Sequence, residues 1–380
     1  FPVVLLLELN GLVVGILNAY AHFTIPAISP LVWNVVIMAF LIGTKPLFEG
    51  DDEMYAYAIG VLAGTAVQFA MALPVLRRVG FELEIHFDWR DPRVRRVLVL
   101  MLPVTIGLGL INFNVLVNSV LGALVSEEAP RAIDAAFRIY MLPQGMFSVA
   151  IATVLFPALS RLAARRDLDG LRDLCSNGTR LIFLLLLPAA AATIALAEPI
   201  TRLVYQRGAF DAQSTDQVAT ALFWFSFSLP FSGVNLLLTR TFFSLQRPWD
   251  TTKLAVVNIT VNIAVSVALY KPFGIAGIVV GTAASSLVMA FAQGAVLRRH
   301  LHGRLAGRET ANAVARMTVA AAAFGATAYG AWYVLDQAAG RSLLGQVVSV
   351  GGGLLAGLAV YVALVIAMRV PEAAQVRDLV

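Results

Sequence analysis

The chain has 380 residues and a net charge of +5; 59% of its residues are hydrophobic and only 13% are charged. A soluble globular chain carries about 25% charged residues, so most of this surface must face something other than water. The composition therefore excludes a soluble enzyme, a disordered chain and a nucleic-acid binder, and the single Cys175 excludes a disulfide scaffold. It predicts an integral membrane protein.

Eleven apolar stretches are long enough to cross a bilayer core of about 30 Å as helices. In chain order they are residues 2–20, 25–43, 54–76, 95–123, 132–160, 177–197, 215–239, 250–270, 273–297, 311–335 and 343–368. Lys271 and Pro272 separate the eighth from the ninth, which predicts a tight hairpin. No stretch alternates as the strands of a membrane barrel do, so the predicted fold class is an all-α membrane bundle.

The basic residues predict the orientation of these spans. Most of the 28 lysines and arginines lie in or beside the loops after the third, fifth, seventh, ninth and last spans. Because cytoplasmic loops are enriched in Lys and Arg, these loops are predicted to be cytoplasmic, with the visible N-terminus outside and the C-terminus inside. The chain starts within an apolar stretch, without methionine, and its span count is odd. We therefore expect it to lack preceding helices.

A short internal repeat supports a duplicated architecture. Residues 63–66 read Ala-Gly-Thr-Ala and residues 280–283 read Val-Gly-Thr-Ala, and both helices end in Val-Leu-Arg-Arg. Parallel repeats of this kind occur in transporters. The predicted organisation is the second half of an N-lobe (1–78), a cytoplasmic inter-lobe loop (79–94), a six-helix C-lobe (95–299), and a C-terminal helix pair with a short cytoplasmic tail (300–380).

Ionisable side chains at membrane depth are functional candidates because burying them is costly. Arg138 lies within the fifth span, where its guanidinium could donate a planar fork of hydrogen bonds to a phosphate. Alternatively it extends to the interface or pairs with Asp134, one turn earlier. Glu8 lies in the first span, where a proton relay, a pairing with a missing helix and an interfacial position all stay open.

Amide side chains form two further groups. Asn114 and Asn118 share a helix face at i,i+4, whereas Asn112 is turned away. Asn258, Asn262 and Thr282 could place oxygens around a small hard cation, but no carboxylate accompanies them. Interhelical hydrogen bonding is the alternative for both groups, and it is favoured.

Several runs resemble the MurJ/MviN family of lipid II flippases, over essentially the whole chain. They are Leu17–Phe23 with Ile25-Pro26-Ala27, Val117-Asn118-Ser119, Arg138 with Leu142-Pro143-Gln144-Gly145, Ala152–Ser160, Tyr205–Phe210, and Phe242-Phe243-Ser244 before Thr251-Thr252. The Arg-x3-Leu-Pro-x-Gly and Leu-Phe-Pro-x-Leu-Ser runs are the most specific.

The resemblance implies a fourteen-helix, two-lobed exporter, of which eleven helices and no enzyme active site are visible here. Such a protein moves lipid II, the undecaprenyl-diphosphate-linked precursor of peptidoglycan, across the bacterial inner membrane by alternating access. Arg138 matches the family's cavity arginine, which the resemblance implies would bind the diphosphate; Asn112, Asn114, Asn118, Gln144 and Glu8 are further candidate substrate-binding residues. The pair 311–369 would form a groove for the lipid tail. Implied partners are lipid II, anionic lipids and the cell-wall synthesis machinery, with no nucleic acid and no cofactor.

Two departures from the family pattern bear on coupling. Phe137 and Met141 stand where the family often has acids beside the cavity arginine. Neutral amides, at Asn114 or Asn118 and at Asn262, stand where some members have sodium-binding acids, which puts monovalent-cation coupling in doubt. Other interpretations are a related polysaccharide-lipid flippase, a drug/cation antiporter, or a non-transporting scaffold.

Overall fold

The protein is described by a computed structural model that covers residues 2–20, 22, 24–44, 47–48, 53–78, 91–208, 210–301 and 307–370. The regular elements of this part of the chain are all helical. The predicted loop 79–94, apart from its last residues, and the tail beyond 370 lie outside the described residues. Chain contacts divide the molecule into two units, residues 1–91 and 92–380.

The described part of the first unit contains three helices. They are α1 (Pro2–Ala19), α2 (Thr24–Thr44) and α3 (Glu53–Arg78). The indole Nε1 of Trp33 on α2 donates to the Thr65 hydroxyl on α3 at 3.1 Å, beside Gly64. A Cβ at Gly64 would lie 3.1 Å from the Trp33 carbonyl oxygen. The absence of a side chain thus lets α2 and α3 approach closely, as in other membrane hairpins.

The second unit, as far as the structure describes it, contains ten α-helices and one π-helical segment. They are α4 (Pro92–Val125), α5 (Ala129–Pro143), the π-segment (Gln144–Val149), α6 (Ala150–Ala164), α7 (Leu168–Ala195), α8 (Ala197–Tyr205), α9 (Ala212–Ser226), α10 (Leu229–Ser244), α11 (Pro248–His300), α12 (Gly307–Ala339) and α13 (Leu343–Ala367). Its core includes Leu186, Leu222, Leu237 and Phe242, all of them fully buried.

All eleven predicted apolar segments are helical, and the all-α fold class is confirmed. Eight helices of the described chain are long and apolar enough to cross a membrane, or nine if α9 and α10, bent by 51°, form one span. Two causes account for the difference from eleven. The long helix α11 counts once although Gly274 breaks it (φ 56°, ψ −130°), and the apolar part of α1, Pro2–Leu17, is short.

Large apolar side chains cover the outside of these helices. Leu5, Ile42, Val154, Phe291 and Leu344, for example, each expose more than 60% of their surface. A soluble monomer rarely exposes large contiguous apolar patches. Together with the helix lengths, this surface defines a multi-pass membrane protein.

Candidate functional site

Arg138 lies on the open face of α5. Its Nε donates to Asp134 Oδ2 at 2.9 Å, and the two side chains are 72% and 62% exposed. The opposite face of α5, which includes Ala136 and Ile139, is buried against its neighbours. Arg138 thus forms the i,i+4 ion pair considered from the sequence, and its exposure leaves the guanidinium accessible to a ligand.

The helix changes form immediately after this arginine. Pro143 has no N–H to donate to the preceding turn, and the next six residues, Gln144–Val149, adopt a π-helix. Such segments are frequent at functional sites. Gln144 begins this segment, nearly two helical turns after Arg138, and its side chain is half-buried.

A polar contact joins this region to the bend between α9 and α10. The Tyr140 hydroxyl donates to Ser232 Oγ at 2.7 Å and accepts from Ser228 Oγ at 3.0 Å. Sequence reasoning missed these residues, which lie about 90 positions apart. The available sequence signal for this contact was the pair of prolines Pro143 and Pro230, since each lies beside an irregular stretch of helix.

Tyr205 at the end of α8 lies close to the same arginine. Its hydroxyl donates to the Ala135 carbonyl oxygen at 3.2 Å, which docks α8 against α5. Burial raises the pKa of this hydroxyl, while the nearby positive charge of Arg138 acts in the opposite direction. The negative charge of Asp134 raises this pKa in turn, so the ion pair offsets part of the effect of the guanidinium.

The amides of α4 differ in their surroundings. Asn112 is exposed. Asn114 and Asn118, which share one face of α4 through their i,i+4 spacing, are half-buried. The Oδ1 atoms of Asn114 and Asn118 are inaccessible and accept no hydrogen bond from the described residues. An unsatisfied buried acceptor costs about 1–3 kcal/mol, so these two oxygens mark a place for a polar partner.

The structure brings together two of the three residues proposed for a cation site. Asn262 is fully buried, and its Nδ2 donates to the Thr282 hydroxyl at 3.1 Å across the hairpin of α11. Its Oδ1 has no hydrogen-bond partner among the described residues. Asn258 is half-buried one turn earlier and forms no hydrogen bond to either. The geometry is that of an interhelical contact with one spare acceptor.

Glu8 belongs to the first unit, where it is exposed on α1. It forms no ion pair with any described residue. Two positions further on, Asn10 is buried and its Oδ1 lacks a partner within the described part of the chain. This buried amide was not singled out from the sequence, since a lone asparagine in an apolar helix carries no spacing signal.

An apolar groove of about 880 Å³ runs between α7, α10, the second half of α11, and α12. Its wall is built mainly from small and aromatic side chains, including Phe183, Ala191, Phe231, Phe291 and Ala322. Of the C-terminal pair, α12 lines the groove, while α13 packs against the rest of α12 and contributes no lining residue. The groove can accommodate a hydrocarbon chain, because it offers one almost no polar surface.

The fold is that of solved membrane transporters. It matches the solved structure "Lipid II flippase MurJ, inward closed conformation" with a TM-score of 0.74 and 17% identity, covering 97% of this chain and 73% of that one. It also matches a mutant of the Vibrio cholerae MATE transporter VcmN with a TM-score of 0.59 and 16% identity, covering 77% and 66%. These matches confirm the predicted exporter-type, all-α membrane fold.

The chain belongs to the lipid II flippase MurJ family, whose sequence model matches residues 1–345. It is 29% identical to a probable lipid II flippase MurJ of Rhizobium meliloti, over 96% of this chain and 68% of the relative. It is 28% identical to one of Vibrio cholerae (85% and 61%) and 30% identical to one of Burkholderia cenocepacia (67% and 50%). The chain thus spans between half and about two thirds of these relatives. The family implies no cofactor.

Proposed function

We propose that the protein translocates lipid II from the cytoplasmic to the outer leaflet of the bacterial inner membrane. The observation that carries the proposal is Arg138, a cationic side chain accessible on a helix of the membrane-spanning bundle. A diphosphate cannot cross about 30 Å of hydrocarbon unaided, because burying even one charge there is prohibitive. A fixed guanidinium in a wet cavity would replace part of the hydration of the diphosphate, and Asp134 would hold that guanidinium in position.

The other candidate residues would bind the rest of the headgroup. Asn112, Asn114, Asn118 and Gln144 would donate and accept hydrogen bonds to the sugar and peptide of the headgroup. The unpartnered oxygens of Asn114 and Asn118 support this role. Glu8, in the N-lobe (residues 1–78, followed by the inter-lobe loop 79–94), would be a further substrate-binding residue. Rocking of this lobe against the C-lobe, 95–299, would give alternating access.

The lipid tail would lie in the apolar groove beside α12, which belongs to the C-terminal segment 300–380. The basic helix ends would face the cytoplasm, with the visible N-terminus outside. Arg77 and Arg78 end α3, and Arg298 and Arg299 end α11. Such clusters attract anionic lipids and would concentrate the anionic substrate. Proteins of cell-wall synthesis would take up lipid II on the other side.

Cation coupling through Asn262 and Thr282 is a separate proposal. The Oδ1 of Asn262, which has no hydrogen-bond partner among the described residues, supports this proposal. The donors Asn258, Asn262 and Thr282 are all neutral, without a carboxylate, and this favours an interhelical contact without a bound cation. If a monovalent cation binds there, translocation should depend on sodium in a series where potassium keeps the ionic strength constant.

Replacement of Arg138 tests its proposed contact with the diphosphate. In proteoliposomes that hold fluorescent lipid II, Arg138→Ala should lower the translocation rate about tenfold or more, because charge-assisted hydrogen bonds to the diphosphate are lost. Arg138→Lys should be intermediate, since lysine keeps the charge without the planar fork. Chemical quenching of outward-facing lipid measures the rate.

Arg131→Ala is the matched control, because Arg131 is exposed in the first turn of the same helix. Unchanged translocation by Arg138→Ala at normal protein levels would eliminate the proposed role. Vesicles that expel organic cations but do not move lipid II would point instead to an antiporter, and vesicles that do neither would fit a scaffold.

A further inference from the structure

A second cavity, of about 310 Å³, lies where α7, α8, α9 and α12 meet. Four aromatic side chains line it: Phe223 and Trp224 from α9, and Tyr329 and Trp332 from α12. Glu198, in the first turn of α8, lines the same cavity with an exposed side chain. Rings and a carboxylate therefore converge on one concave site.

Among the described residues that line this cavity, Glu198 is the only charged one. Arg202, one turn further along α8, is held by Asp336 at 3.0 Å, and these two side chains are only 10% and 17% exposed. The Arg202 guanidinium also lies 5.9 Å from the centre of the Trp332 ring. Glu198 forms no ion pair with a described residue, so its carboxylate contributes a negative charge to the cavity wall.

The rings are held by contacts of their own. Tyr329 packs against Trp332 with ring centres 5.4 Å apart, and Phe223 packs edge-on against Trp224 at 5.3 Å. Trp332 is only 8% exposed. Aromatic residues that merely mark the membrane interface stand on the outer surface of a span. Here two packed pairs from different helices line an open cleft instead.

We propose that this cavity binds an alkylammonium group, carried by the headgroup of an amine-headed phospholipid. Aromatic faces attract such cations within about 6 Å, and a carboxylate adds the opposite charge. Trp332 lies seven residues before the end of α12, about 10 Å from it at 1.5 Å per residue, which is near headgroup depth. Ile194 and Ala195 line both this cavity and the end of the apolar groove, and they offer an acyl chain an apolar surface.

The test uses the full chain in detergent, with bound lipid counted by native mass spectrometry. We expect phosphatidylethanolamine to bind about fivefold more tightly than phosphatidylglycerol with the same acyl chains. Glu198→Gln should abolish this preference, whereas Glu198→Asp, which keeps the charge, should retain most of it. The matched control Glu309→Gln, at the other end of α12, should leave the preference intact.

A competition experiment distinguishes a phospholipid headgroup from free ethanolamine as the source of the ammonium group. Partial displacement of the lipid by millimolar ethanolamine, seen in the unaltered chain only, supports recognition of the amine. Ethanolamine that binds as tightly as the lipid would overturn the lipid source, and equal binding of the two phospholipids would overturn the site. If Glu198→Gln does not fold, Phe223→Leu, which removes one ring, should reduce the preference instead. None of these results bears on lipid II translocation.

Discussion

Asp211 caps α9 at the entrance to the bent pair of helices. Its carboxylate accepts a hydrogen bond from the backbone N–H of Ser214 at 2.8 Å, and this bond lowers the pKa of the carboxyl group. A carboxyl whose pKa is lowered by folding stabilises the protein above its unfolded pKa of about 3.9. The contribution is lost as the pH falls through the lower pKa of the folded state.

We expect this cap to contribute a small loss of stability as the pH falls, and we expect Asp211→Asn to abolish that contribution. Asparagine caps helices about as well as aspartate but does not titrate in this range. Thermal melting in detergent between about pH 3 and 6 should therefore show a shallower pH dependence for Asp211→Asn than for the unaltered chain. Parallel pH profiles for the two proteins would contradict the role of this cap.

Single residues were predictable where the relevant contact lies within one helix. The Arg138–Asp134 pair follows from i,i+4 spacing, and so does the shared face of Asn114 and Asn118. The Arg202–Asp336 pair joins residues 134 positions apart, and no local pattern relates them. The contact between Asn262 and Thr282 was partly predictable. The short hairpin brings their two spans together, but it does not determine which residues of the two spans face each other.

The packing of α13 on α12 depends on glycine. A Cβ at Gly353 would lie 2.7 Å from the Ala328 carbonyl oxygen and 3.1 Å from the Trp332 Cβ. Because a backbone oxygen cannot move aside as a flexible side chain can, Gly353→Ala must separate the two helices. We expect it to lower the free energy of unfolding by about 2 kcal/mol, measured by denaturant unfolding in micelles.

Gly351 supplies the control for this change. It lies on the same helix, and a Cβ there would meet no atom within 4 Å. Gly351→Ala should therefore be neutral or slightly stabilising, since alanine has the higher helix propensity. Equal losses for the two variants would mean that the close approach of α12 and α13 does not depend on the missing side chain at Gly353.

The elements themselves were largely predictable, because a helix that spans a bilayer must be long, apolar and internally hydrogen-bonded. The irregular features were less so. The hairpin predicted at Lys271-Pro272 breaks at Gly274, where a positive φ is easily adopted. The short helix α8 carries too few apolar residues to register as a span. The π-segment after Pro143 depends on packing against α10, where Gly233 leaves room for Ser148.

At the scale of the molecule, the groove is the feature that no single helix encodes. Four helices separated by long stretches of sequence contribute its wall, and α12 alone represents the C-terminal pair that the sequence suggested. The periodicity of α12 identifies small residues on one face. It cannot say that α7, α10 and α11 leave a space opposite them.

The groove makes a prediction for the substrate tail. Ala322 is exposed and lines the groove, so Ala322→Trp should fill part of its 880 Å³ and exclude a hydrocarbon chain. Ala315 is equally exposed on the same helix but lies outside the groove, so Ala315→Trp adds the same bulk elsewhere. In the proteoliposome assay, Ala322→Trp should slow lipid II translocation severalfold, in line with the loss of buried apolar area, while Ala315→Trp should not. A water-soluble lipid II with a shortened tail should be less affected by Ala322→Trp, because it needs less of the groove. If both tryptophan variants translocate full-length lipid II at the unaltered rate, the tail must bind outside this groove.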